Sequence, residues 1–137
     1  MAYLIWDFDN TLAHRPGLWG QCLVDTANQA LPGAGLTRAQ VAPYLSSGFP
    51  WHTPEVEHPH LGDPDAWWAR LNLVLSAALT AGAKMDATLA SKIASQVRPE
   101  FLNPSRWVVF ADTEPTLTAL SPKSKVCVKK PCGIAAK

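Results

Sequence analysis

Apolar residues follow two rhythms along the chain. At the start, Tyr3, Leu4, Ile5 and Trp6 form a short unbroken run closed by Asp7, Asp9 and Asn10, the pattern of a strand buried in a parallel sheet. Further on the spacing becomes helical. Trp19, Leu23, Ala27 and Ala30 or Leu31 predict a helix stopped at Pro32 and Gly33. Thr37 and Gln40 have capping-box spacing and open a short helix through Val41 and Leu45, made irregular by Pro43. Asp63 as N-cap and Pro64 in the first turn begin the clearest helix, with Trp67, Leu71, Val74 and Ala78 on one face, Leu75 and Leu79 beside them, and Gly82 at its end. Asp86 opens another, whose Leu89, Ile93 and Val97 are spaced by four and which Pro99 stops. Trp67 and Trp68 read as core. Residues 107–110 are again extended.

Between these elements, His14, Arg15, Pro16 and Gly17 predict a turn, with Arg15 a solvated loop charge. The stretch from Ser46 to Pro64 is rich in Gly, Pro and His. His58, His60 and Asp63 would be its metal ligands, yet no helical or hairpin spacing fixes their geometry, so it reads as a polar surface loop braced by prolines. From about Leu18 to Ser105 the chain is therefore mostly helical, inserted between one strand and a later extended stretch.

Composition narrows the classes. The chain has 137 residues, 47% of them hydrophobic, and a formal net charge of +1, which suits one small core carrying an insertion and argues against disorder and against a nucleic-acid partner. No apolar run reaches membrane-spanning length and the N-terminus lacks a basic leader, so a soluble cytoplasmic protein without a membrane partner is expected. Cys22, Cys127 and Cys132 are few and odd in number, and reduced thiols follow.

The chemistry sits where the first strand ends. Asp7 and Asp9 can turn toward one crevice at the strand's carboxyl end, where open α/β sheets bind ligands. Like charges so close repel unless a hard cation with oxygen ligands neutralises them, and Mg2+ is the natural candidate. A bare D-x-D-x-T also fits an Asx-turn after any strand. A calcium loop fits less well, since it wants Gly where this chain has Leu12.

As it stands, Asp7-Phe8-Asp9-Asn10-Thr11-Leu12 resembles the first signature motif, D-x-D-x-T/V, of the haloacid dehalogenase (HAD) superfamily of phosphohydrolases, a motif carried on that family's first strand near the N-terminus. The resemblance implies that Asp7 attacks phosphorus and becomes an aspartyl phosphate. It implies that Asp9 protonates the leaving oxygen and later activates water, and that Thr11 steadies the loop among the substrate-binding groups. Mg2+ would bind the Asp7 carboxylate and the Asp9 backbone carbonyl. Retention of Asp at position 9 favours phosphate esters over haloacids, because an alkoxide needs a proton that a halide does not. Residues 13–20 would be the flap beside the nucleophile, where Arg15 or His14 would touch a phosphate. Residues 18–105 would be the helical cap, which in such enzymes closes over the active site and selects the substrate. Trp107, Val109, Asp112, Pro115, Leu117 and Leu120 are similar to the cap exit and the core helix after it.

Past Leu120 the resemblance fails. The family continues with a strand ending in a phosphate-binding Ser or Thr, then a Lys, then an acidic pair for Mg2+. Here no Ser or Thr follows Ser124 and no acid follows Glu114. Lys129 and Lys130 follow a possible strand, Lys125 to Val128. The change of character predicts a truncated or frame-shifted reading of a longer gene. The expected fold class is α/β: an incomplete HAD-like Rossmannoid core, the first strand plus few others, over residues 1–17 and 106–137, with a mostly helical cap over residues 18–105. The expected function is Mg2+-dependent hydrolysis of a small phosphorylated metabolite, with little or no activity in this chain alone. The alternative is a non-catalytic helical interaction module in which the two Asp only cap a strand.

Overall fold

The computed structural model describes residues 3–120 and 125–129, with side chains described over residues 5–120. The chain divides into two compact units, Gly17–Leu102 and the pair of segments Met1–Pro16 and Asn103–Lys137. The sequence pattern sets these boundaries at 17/18 and 105/106, whereas the structure counts the 3-10 turn Pro104–Arg106 with the second unit.

The first unit is helical: α1 (Leu18–Ala30), α2 (Arg38–Val41) continued by a 3-10 turn over Ala42–Leu45, α3 (Pro64–Gly82), α4 (Ala87–Ser95) and α5 (Val97–Phe101). Local signals start these helices. The Asp63 carboxylate accepts from the Asp65 and Ala66 N–H groups at 2.9 and 3.0 Å, and Asp86 does the same for Thr88 and Leu89 at 2.9 and 3.1 Å, satisfying donors that a helix cannot satisfy internally. Gln40 Oε1 accepts from the Thr37 N–H at 2.8 Å, one arm of the expected capping box. α3 packs on α4 and on Ala42–Leu45, while α1 packs on α5 and α2. Leu23, Val41, Leu71, Leu75, Leu79, Ile93 and Val97 fill the space between them. An aromatic cluster closes one part of this core: Trp19 stacks on Phe101, with centroids 3.9 Å apart and planes at 6°, and meets Trp68 at 5.8 Å.

Three details differ from the sequence pattern. Trp68, not Trp67, is the buried tryptophan of α3, at 2% exposure; the apolar stripe is wide enough to admit either residue, and packing against Trp19 and Phe101 decides. Pro99 does not stop a helix. It is the third residue of α5, in a first turn whose N–H groups have no partner inside the helix anyway, and the break falls earlier, at Gln96. In the long loop, Phe49, Pro50 and Leu61 are buried, so the prolines brace an anchored segment with short 3-10 turns at Pro50–His52 and Pro59–Leu61.

The second unit is mixed α/β. β1 (Tyr3–Asp7) pairs in parallel with β4 (Lys125–Lys129), and α6 (Thr113–Leu120) precedes β4 in the chain. Parallel neighbours need such a crossover element. β2 (Ala13–His14) pairs antiparallel with β3 (Val108–Val109), Ala13 opposite Val109 and His14 opposite Val108. The helical unit is thus the excursion between two strands of one ribbon. His14 lies in a strand rather than in the expected turn, because Val108 gives its backbone a ladder partner.

β1 is not buried on both faces. Ile5 is 76% exposed and Asp7 is exposed, while Trp6 between them is half-buried, the alternation of a strand covered on one side. Val108 and Val109 are likewise exposed. Among the described residues, no helix is long and apolar enough to cross a membrane.

Candidate functional site

The first motif forms a tight knot at the carboxyl end of β1. The Phe8 carbonyl accepts from the N–H groups of Thr11, Leu12 and Ala13 at 3.4, 3.0 and 3.1 Å, and the Asn10 N–H donates to the Ala13 carbonyl at 2.8 Å. Reversing the chain this sharply requires Asn10 at φ 57°, a left-handed conformation that Asn tolerates better than most residues. Leu12 and Ala13 are buried beneath the turn.

This knot carries the two carboxylates. Asp7 is exposed, and its Oδ1 accepts from the Phe8 N–H at 2.9 Å. Asp9 is half-buried; its Oδ1 is cut off from solvent and meets no hydrogen-bond donor among the described residues. Burial pushes the Asp9 carboxyl above the ordinary carboxylate range, the Asp7 charge pushes it further, and the Asn10 backbone N–H pulls it back. Thr11 lies on the exposed outer side of the turn. The exposed Asp7 carboxylate is a hard oxygen donor of the kind that a hard divalent cation takes.

The raised Asp9 carboxyl has a consequence for stability. Above the unfolded carboxyl's pKa the unfolded chain has released a proton that the folded chain still holds, so stability is full below that value and is lost as pH rises through the folded one. Asp9→Asn removes the penalty. In metal-free buffer it should stabilise the chain at about pH 7, by less than about 1 kcal/mol given the remaining solvent contact, and change little at about pH 3. Thermal unfolding across this range checks it; a loss of stability confined to neutral pH would contradict it.

Other candidates fall out differently. Arg15 is 5% exposed and engaged with the protein, so it is not the solvated loop charge its setting predicts; a guanidinium is buried only where its donors are met. His14 stacks on Phe110, centroids 5.2 Å apart at 20°. The His58 and His60 rings lie 6.1 Å apart, but Asp63 spends a carboxylate oxygen capping α3. Among the described residues, no three His, Cys, Asp or Glu gather as metal ligands. Cys22 is buried and not in a disulfide. Lys129 occupies the register position opposite Asp7; Lys130 and Cys132 lie outside the described residues.

Sequence reading missed one residue. The Thr113 hydroxyl, buried at the start of α6, donates to the Leu12 carbonyl at 2.7 Å, and the Phe110 N–H donates to the same oxygen at 3.1 Å. Nothing local marks this role, since Thr113 looks only like a residue of a helix start. No family model and no curated protein matches the chain, so the chemistry of the site rests on its own atoms.

Proposed function

We propose that the chain is a HAD-like phosphohydrolase body of the cytoplasm, built for a small phosphorylated metabolite and with little or no activity alone, in which the Asp7–Asp9 knot is the reacting centre. The supporting observation is the pairing of an exposed carboxylate at a strand's carboxyl end with a half-buried neighbour held above its usual pKa. The parallel β1–β4 pair, with α6 before β4, supports the Rossmannoid reading of the core. The helical unit, inserted between β2 and β3, serves as the cap.

In this reading an Asp7 carboxylate oxygen attacks phosphorus and the bond from phosphorus to the ester oxygen breaks. The departing alkoxide takes the proton of the Asp9 carboxyl. Asp9, now a carboxylate, accepts a proton from water as that water attacks the aspartyl phosphate, which releases inorganic phosphate and regenerates Asp7. A carboxyl whose pKa is raised by burial and by the Asp7 charge holds its proton more firmly than an ordinary one, which suits the acid half of this cycle. Asp7 and the Asp9 carbonyl would hold Mg2+, which supplies positive charge against the phosphoryl oxygens. Thr11 stands beside the substrate phosphate.

This chain offers no acid after Glu114 and no Ser or Thr after Ser124. Removing one electrostatic group of this kind typically costs about 100-fold to 1,000-fold. Mg2+-dependent hydrolysis of a chromogenic phosphate ester should therefore stay near background, and a Lys129→Ala, Lys130→Ala double variant should not change it. Robust turnover that the double variant abolishes would instead make the tail catalytic. One observation favours the non-catalytic alternative: Asp7 accepts the Phe8 N–H, as a strand-capping Asp does.

A further inference from the structure

The loop from Phe8 to Ala13 closes on itself. The N–H groups of Thr11, Leu12 and Ala13 turn in to the Phe8 carbonyl, and the Asn10 N–H turns in to the Ala13 carbonyl. The Leu12 carbonyl is where two other elements take hold. One is the Phe110 N–H, which belongs with the β2–β3 ribbon; the other is the Thr113 hydroxyl, buried, at 2.7 Å, from a residue 101 positions away. The two bonds differ in what they attach. Phe110 follows directly on β3 and its carbonyl accepts from the Thr113 N–H at 3.1 Å, whereas Thr113 opens α6, which leads into β4, the parallel neighbour of the strand bearing Asp7. The Thr113 bond therefore joins the loop that carries Asp9 to the same strand and helix frame that carries Asp7.

We propose that Thr113 is a positioning residue for the Asp7–Asp9 site, holding the Leu12 carbonyl and, through it, the Phe8–Ala13 loop that carries Asp9. This rests on the phosphohydrolase reading for its catalytic meaning, but the anchoring itself does not. A buried hydroxyl spent on a loop carbonyl, rather than on its own helix, is an anchor with one defined partner. A merely structural role predicts that its loss loosens α6 and the loop together. A positioning role predicts that the loop alone is loosened.

The test uses Thr113→Val, which keeps the shape and removes the donor, and Thr113→Ser, which restores it, both in the full chain. Amide exchange followed by NMR should quicken about fivefold at Thr11, Leu12 and Ala13 in the Val variant, the factor expected for one net hydrogen bond. The amides of residues 117–120 in α6 should be unchanged, and Ser should restore the loop. No quickening, or equal quickening in loop and helix, would overturn the proposal. Where the chain shows single turnover with Mg2+ above background, the Val variant should lose rate on an alkyl phosphate, whose leaving group needs the Asp9 proton, and keep it on an activated aryl phosphate; equal loss on both would also overturn the proposal. Asp7→Asn run alongside keeps the two ideas separate. Undiminished turnover in that variant would remove the phosphohydrolase reading and leave the exchange result standing, and a chain with no turnover is still decided by exchange.

Discussion

Gly82→Ala should cost the chain about 2 to 3 kcal/mol of stability, although helix propensity alone would have Ala gain up to about 1 kcal/mol. A β-carbon at position 82 would come 2.1 Å from the Gln40 carbonyl oxygen, 3.0 Å from its carbon and 3.1 Å from Cδ2 of Tyr44. The nearest atom is backbone and cannot swing aside. α2 would have to move off α3, which carries Leu71, Leu75 and Leu79 into the core. Gly62→Ala is the control: its β-carbon would meet only the Pro59 oxygen, at an ordinary 3.6 Å, and should cost little. Urea unfolding of both variants checks the sign; a stabilised Gly82→Ala would show that the approach of the two segments relaxes without cost.

The larger effect on chemistry belongs to the carboxylates. Asp7→Asn should remove whatever Mg2+-dependent phosphoryl transfer the chain retains above background, because an amide does not attack phosphorus. Asp9→Asn should slow the first turnover of an alkyl phosphate by about 100-fold to 10,000-fold, the usual worth of a positioned acid. It should spare the first turnover of an activated aryl phosphate, whose leaving group needs no proton. Rapid-quench measurement of the two ester classes separates these roles, and equal damage to both would refute the assignment of the acid to Asp9.

How much of this was legible in the sequence follows from the range of the forces involved. The caps at Asp63 and Asp86 and the starts of α1, α3 and α4 are set by neighbours within a turn or two, and they stand where the pattern puts them, although Val97, spaced as part of α4, falls in α5. Gly82 reads in sequence as a helix end, and it is one; its deeper constraint comes from Gln40, which only tertiary packing brings close. Trp67 and Trp68 cannot be told apart by spacing, since both border the stripe that Trp19 and Phe101 cover. The run from Tyr3 to Trp6 reads as buried because an apolar run reports the preference of its side chains and not whether anything covers them; Ile5 is uncovered.

At the site, Asp7 and Asp9 were legible as a pair because strand end and motif coincide. Their unequal environments were not, since the burial of Asp9 depends on how the loop folds at Asn10. Thr113 was invisible for the same reason that makes it informative: its partner is 101 residues away.

The roles of Asp7 and Asp9 are decided by finding where phosphorus goes. The chain is incubated with Mg2+ and an activated aryl phosphate, quenched in acid, digested and read by peptide mass spectrometry. Whatever phosphoryl group the chain takes up, even at trace occupancy, should lie on the peptide containing Asp7, be labile to hydroxylamine as an acyl phosphate is, and be absent in Asp7→Asn. A phosphoryl group on any other residue, or an Asp7→Asn variant labelled as fully as the original, would contradict it.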